Sequence, residues 1–200
     1  IWIGEHESSK FWLNLLTELK SRGGTDVYLF CVDGLTGFRE AIEAVYPNAG
    51  IQRCIIHQIR YSTRFVSYKD IKALMADLKL VYTAVTEDEA LNNLIRFKEK
   101  WSKSYPSCVK TWEDNWDILS TFFAYPAEIR KIIYTTNIIE GLNRQFRQIT
   151  KNKPSFTNDE SLRKMLYLAS KNIVKRWTQR CRNWDVVLNY LKVMFEDRTA

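Results

Sequence analysis

Hydrophobic positions change period along the chain. After Ile1-Trp2-Ile3, which reads as the tail of a strand already under way, Gly4-Glu5-His6-Glu7-Ser8 leads into a helical stripe. That stripe is Phe11, Trp12, Leu15, Leu16 and Leu19, and Gly23-Gly24 stops it. Val27–Val32 is a short, nearly continuous apolar run of the kind found in buried strands, and it ends in Asp33-Gly34. Leu35, Phe38, Ala41, Ile42 and Val45 restore the helical period as far as Tyr46-Pro47, and Ile51–Ile56 is a further strand leading into His57. Strands separated by single helices predict an α/β fold with a largely parallel sheet flanked by helices.

From about His57 to Pro126 the strand signals stop. The stripes there are helical: Ile71, Leu74, Leu78 and Val81; then Leu91, Leu94, Ile95, Phe97 and Trp101; then Trp112, Trp116, Leu119 and Phe122-Phe123. The expected organisation is a sheet-forming segment over 1–57, an all-α insertion over 58–126 and C-terminal helices over 127–200. Helices are predicted over Ile138–Ile149, Leu162–Trp177 and Val186–Phe195. No repeat or low-complexity segment interrupts them.

With 46% hydrophobic residues among 200, the chain can bury one sizeable core, or one core with a helical subdomain. Four scattered cysteines, Cys31, Cys54, Cys108 and Cys181, form no CxxC pair and suit a reducing compartment. There is neither a basic-then-apolar leader nor an apolar run of about eighteen residues. The expectation is a cytoplasmic protein with no membrane partner. The net charge of +7 is unevenly spread: Ile129–Arg182 holds thirteen Lys or Arg against three acids, and the remainder is net acidic. Such a region suits a phosphate backbone, although a solvated helix face would carry the same charges.

Two carboxylates stand out. Asp33 closes a strand, where open α/β sheets hold ligands and metals, with Gly34 allowing a close turn; Asp-Gly is equally a common turn pair. Glu140 follows Asn137 at capping-box spacing. It also shares a helix face with Asn143, Arg144 and Arg147, a set suited to a metal ion flanked by phosphate. Gly141 beside it costs helix stability, which a close approach by a strand or by substrate would justify. Cys54-x-x-His57 offers only two zinc ligands; Cys54 in the core, and His57 opening a helix with Arg60 one turn on, is the competing reading. Trp101, Trp112 and Trp116 are either core residues or, for one of them, a platform for an extruded base.

Taken together, GEHESSKFW, CVDGLTGFREAIEAVYP, QRCIIHQIR, YPSCVKTWEDNW, FFAYPAEIRKIIYTTNIIEGLNRQFR and LYLASKNIVKRWTQRCRNWDVVLNYL resemble, in this order, transposases of the bacterial IS256 group, relatives of the Mutator elements. The similarity covers essentially the whole chain, and TTNxxExxNRxxR is its most specific part. The resemblance implies a ribonuclease H-like fold interrupted by an all-α insertion and an Asp-Asp-Glu triad. Asp33 matches the second aspartate, Glu140 the glutamate, and Cys54 with His57 the Cys-x-x-His signature. It further implies two Mg²⁺ (or Mn²⁺) ions, one activating water or a 3′-hydroxyl and the other stabilising the leaving oxygen. Transposon ends and target DNA are the implied partners, with a homodimer assembled on paired ends. His57, Arg60, Asn143, Arg144, Arg147, Lys151 and Lys153 are the expected DNA contacts, mainly to phosphate.

The first aspartate and its strand are expected upstream of Ile1. That strand would lie between the one represented by Trp2-Ile3 and Val27–Val32, so the fold is expected to be incomplete, with its first strands missing. A catalytically inactive remnant, a DNA-binding or oligomerisation fragment, a nuclease that cuts without joining, and a plain structural domain are the competing functions.

Overall fold

The computed structural model describes residues 2, 6, 8–34, 37–134, 137–151, 155–175, 178 and 183–198, and of 137–140 and 197 the backbone alone. Helix α1 (Ser9–Ser21) begins where the Ser8 hydroxyl accepts the Phe11 N–H at 3.2 Å, and it ends before Gly23, whose φ is +102°. Strand β1 (Leu29–Val32), helix α2 (Phe38–Val45) and strand β2 (Gly50–Arg53) form a parallel β-α-β unit. Its register runs from Leu29 opposite Gly50 to Val32 opposite Arg53.

Alternation along β1 sends Phe30 and Val32 into a small core with Leu16, Ala41, Ile42, Val45 and Tyr46. Trp12 of α1 stacks on Phe38 of α2, ring centres 4.0 Å apart, which seats α1 against α2. Leu29 points the other way, toward the helices. β1 is less buried than its apolar run predicts: Val32 is buried, Leu29 and Phe30 are half-buried, and Cys31 is exposed. The reason is that β1 pairs only with β2 and keeps its other edge open among the described residues.

The second strand is shorter than Ile51–Ile56. β2 stops at Arg53, and Ile55-Ile56 open helix α3 (Ile55–Thr63). A continuous apolar run does not distinguish a strand from the first turn of a buried helix. Every described element beyond β2 is helical: α4 (Tyr68–Tyr82), α5 (Glu87–Trp101), α6 (Pro106–Glu113) and α7 (Trp116–Leu119) with a 3-10 turn through Ala124, then α8 (Ala127–Ile133), α9 (Asn137–Thr150), α10 (Asp159–Val174), α11 (Trp184–Met194) and a 3-10 turn Glu196–Arg198. The chain is thus mostly helical, with a small two-stranded parallel sheet.

The larger core joins α3 through α8 with Val187 of α11. Trp112 is nearly inaccessible there; its indole N–H donates to Ser62 Oγ at 2.8 Å, and Ser62 donates to the Gln58 carbonyl at 2.5 Å. At the end of the described chain, Arg198 pairs with Asp26 and donates to the carbonyls of Val27 at 2.9 Å and Asn48 at 2.6 Å. Its guanidinium also lies over the rings of Tyr28 and Phe195, so the tail clasps the entrance to β1.

Candidate functional site

The parallel pairing fixes the edge that carries Asp33. One step beyond the strand register, the Cys54 N–H donates to the Val32 carbonyl at 2.6 Å, so the carboxyl ends of β1 and β2 finish side by side. Asp33 follows with an exposed side chain that makes no hydrogen bond or ion pair to a described residue. Gly34 turns the chain with φ +83°. The space a β-carbon would enter there faces the Arg53 guanidinium, whose central carbon lies 3.2 Å away. The left-handed dihedral therefore favours glycine, and a β-carbon would in addition need the Arg53 side chain to shift slightly.

Arg53 is a site residue that sequence reasoning passed over. Its Nη1 donates to Asn115 Oδ1 at 2.7 Å, and Asn115 Nδ2 donates to the Thr111 carbonyl at 2.7 Å. A half-buried cation is thereby held one residue away from Asp33 by the turn between α6 and α7. Gln52, fully buried on β2, donates to the carbonyls of Arg53 and Leu119 and accepts from the Thr121 hydroxyl at 2.7 Å. These bonds fasten the strand ends to the helical segment.

Cys54 and His57 differ in exposure. Cys54 stands before α3 with its side chain buried, whereas His57 is exposed on the helix. Arg60 is exposed one turn further along. Trp101 and Trp112 are core, and half-buried Trp116 packs on Phe123. Trp101 and Trp112 therefore offer no open stacking face, whereas Trp116 lines a surface cavity with Leu94, Lys98 and Asp117.

Helix α9 spans the predicted glutamate helix and packs on α10. Asn143, Arg144, Arg147 and Lys151 are exposed, so the expected polar face is solvent-facing. Among the described residues, no atom outside its own helix comes within 4 Å of where a Gly141 side chain would begin. The side chains of Asn137 and Glu140, and all of Ile1, Ile3, Lys153, Trp177 and Cys181, lie outside the described residues. Trp2 is not in a strand; its indole donates to Glu18.

The thiol of Cys31 lies beside Cys54 and Tyr125, and burial of the sulfur pushes it up to about 11 even though the residue keeps exposed surface. Among the described residues, no three His, Cys, Asp or Glu side chains gather as a metal cluster. Nor is any described helix long and apolar enough to cross a membrane.

A parallel strand pair ending in an exposed carboxylate, with a fixed guanidinium alongside, makes the carboxyl edge of the sheet the candidate ligand site. The chain belongs to the Mutator family of transposases: residues 1–180 match the family described as "Transposase, Mutator family". It is 41% identical over 199 residues to the probable transposase for insertion sequence element ISRM3-like of Sinorhizobium fredii, covering 99% of this chain and 50% of that protein. The same figures hold for the transposase for insertion sequence element ISRM3 of Rhizobium meliloti. A probable insertion-element transposase of Corynebacterium diphtheriae is 38% identical over 220 residues, covering 100% of this chain and 64% of that protein. The chain thus spans about half the length of the first two relatives.

Proposed function

We propose that this chain is the later part of the catalytic domain of a DNA transposase that cuts and joins strands by the Asp-Asp-Glu mechanism. Asp33 and Glu140 supply two of the three carboxylates, and the first lies upstream in the complete protein. On this reading the β1-α2-β2 unit is part of a ribonuclease H-like sheet, and the absent strand runs along the open edge of β1. The observation that carries the proposal is the exposed, unpaired Asp33 carboxylate at the end of a parallel strand, within a family match over residues 1–180.

The donor chemistry of Asp33 fits a divalent cation, since a free carboxylate oxygen is a hard ligand of the type Mg²⁺ or Mn²⁺ takes. Asp33 would hold such ions together with Glu140 and the upstream aspartate. When bound, they supply Lewis-acid activation of the attacking oxygen and stabilisation of the leaving one. Arg53 orients a phosphate near Asp33 through guanidinium N–H groups not used on Asn115. Arg144, Arg147 and Lys151 position backbone phosphates along α9, with Lys153 following, and Asn143 hydrogen-bonds beside them. His57 and Arg60 do the same on α3. Transposon ends and target DNA are the substrates, engaged by a homodimer.

The test is made in the full-length protein with Mg²⁺ and an element-end duplex. Asp33→Ala and Glu140→Ala should each abolish strand cleavage and leave DNA binding within about twofold, because the phosphate contacts are elsewhere. Cleavage at the parent rate in either variant overturns the assignment. DNA binding without cleavage by the unmodified full-length protein would identify an inactive remnant instead.

A further inference from the structure

Three aromatic rings are left in solvent within eight residues: Tyr61 is 62% exposed, Phe65 76% and Tyr68 94%. Burial of such rings is normally favourable, so their exposure together marks a contact surface rather than a packing remnant. They sit at the corner between α3 and α4, and that corner is pinned. Tyr105 Oη accepts the Ser67 N–H at 3.3 Å and donates to Asp70 Oδ2 at 2.6 Å, while Val66 packs on the core. A groove of about 210 Å³ opens there between Tyr61, Phe65 and Val66 on one side and Tyr105 and Pro106 on the other, with the hydroxyls of Ser104 and Ser107 along it. That volume is below the ~300 Å³ at which drug-sized sites begin, and it suits one planar ring system.

Charge identifies what would carry the ring. The segments 57–72 and 103–111 that form the corner hold six Lys or Arg against one acid, Asp70, whose carboxylate is tied to Tyr105. His57, Arg60, Tyr61 and Arg64 are all exposed at three- and four-residue spacing, forming one stripe from the Cys54 end of α3 to the groove. The Arg64 guanidinium lies over the Phe65 ring, 5.5 Å from its centre, extending the flat surface.

We propose that this corner binds an unpaired nucleotide of DNA. Its base stacks on Phe65 and Tyr61 in the groove, and its flanking phosphates follow the α3 stripe toward the Asp33 edge. Aromatic faces with interleaved cations are how single strands are held without reading sequence. The inference rests on the reading of the chain as DNA-processing and adds a strand-binding site that contains neither proposed carboxylate.

Binding is measured with the full-length protein in EDTA, so that cleavage plays no part, using a single-stranded oligonucleotide carrying 2-aminopurine. The parent should bind and change the probe's fluorescence. Tyr61→Ala with Phe65→Ala should raise Kd at least about fivefold and remove the fluorescence change. Phe65→Tyr should retain both. Arg64→Ala should lower the salt slope by about one ion. The replaced side chains are mainly exposed, and circular dichroism checks that the fold is kept. Parent-like affinity and fluorescence in the double alanine variant overturn the groove while leaving the DNA reading in place. Failure of the parent to bind any DNA at low salt overturns both. Loss of cleavage in full-length Asp33→Ala, with this binding unchanged, supports the two sites as separate.

Discussion

Arg53 donates to the side-chain oxygen of Asn115 at 2.7 Å and lies across Gly34, so β2 and the turn before α7 jointly shape the carboxyl edge of the sheet. The positive φ of Gly34 strains any side chain there, and a β-carbon would press on the Arg53 guanidinium at 3.2 Å. Gly34→Ala should cost about 1–2 kcal/mol from the left-handed dihedral alone. Urea denaturation of the two proteins checks this; an unchanged midpoint would show that the turn relaxes freely.

Gln52 places all three of its side-chain bonds inside the protein. Gln52→Ala leaves the Leu119 carbonyl without that donor and should lose about 1–3 kcal/mol. The same substitution should raise hydrogen exchange at the β1–β2 amides, because the strand pair loses its tie to the helices.

Core and surface aromatics should separate cleanly in stability. Trp112 is 1% exposed, so Trp112→Ala should cost about 3–5 kcal/mol through cavity formation and the lost bond to Ser62. Phe65→Ala should stay within about 0.5 kcal/mol of the parent, as surface changes generally do. Thermal melts of the two variants check the contrast, and equal losses would place Phe65 in the core.

Burial raises Cys31 and Cys108 from the ordinary thiol value of 9.0 to about 11. Between those values the unfolded chain has released protons that the folded chain keeps, so stability should fall as pH rises through this window. Buried Tyr46 and half-buried Tyr82 and Tyr125, each raised from 10.0 by loss of solvent around the phenol, act in the same direction. Urea midpoints at pH 8 and pH 10.5 should differ in that sense, and Cys108→Ala should show a smaller difference. A midpoint rising toward pH 10.5 would contradict the burial of these groups.

Much of the helical scaffold is legible from spacing alone. Ala41, Ile42 and Val45 make one buried stripe, as do Leu74, Leu78 and Val81, because a helix repeats its inward face regardless of what it packs on. The β2–α3 junction is not legible, since Ile55 and Ile56 continue an apolar run across the change of structure. Asp33 and His57 could be singled out because each closes or opens an element. Arg53 could not, because its importance comes from Gly34 and Asn115, which are remote in sequence. Tyr61, Phe65 and Tyr68 belong to none of the apolar stripes that mark the helices, and only their exposure gives them meaning.

The Arg198 clasp has a consequence for how the chain melts. Asp26 and Arg198 are separated by 172 positions, so their pairing closes the intervening chain into a noncovalent ring. Closing so long a loop is entropically expensive, and it is sustained only while the elements between the two residues hold their places. Loss of the Glu196–Arg198 turn therefore releases the entrance to β1 as well, coupling these two remote segments in one cooperative unit.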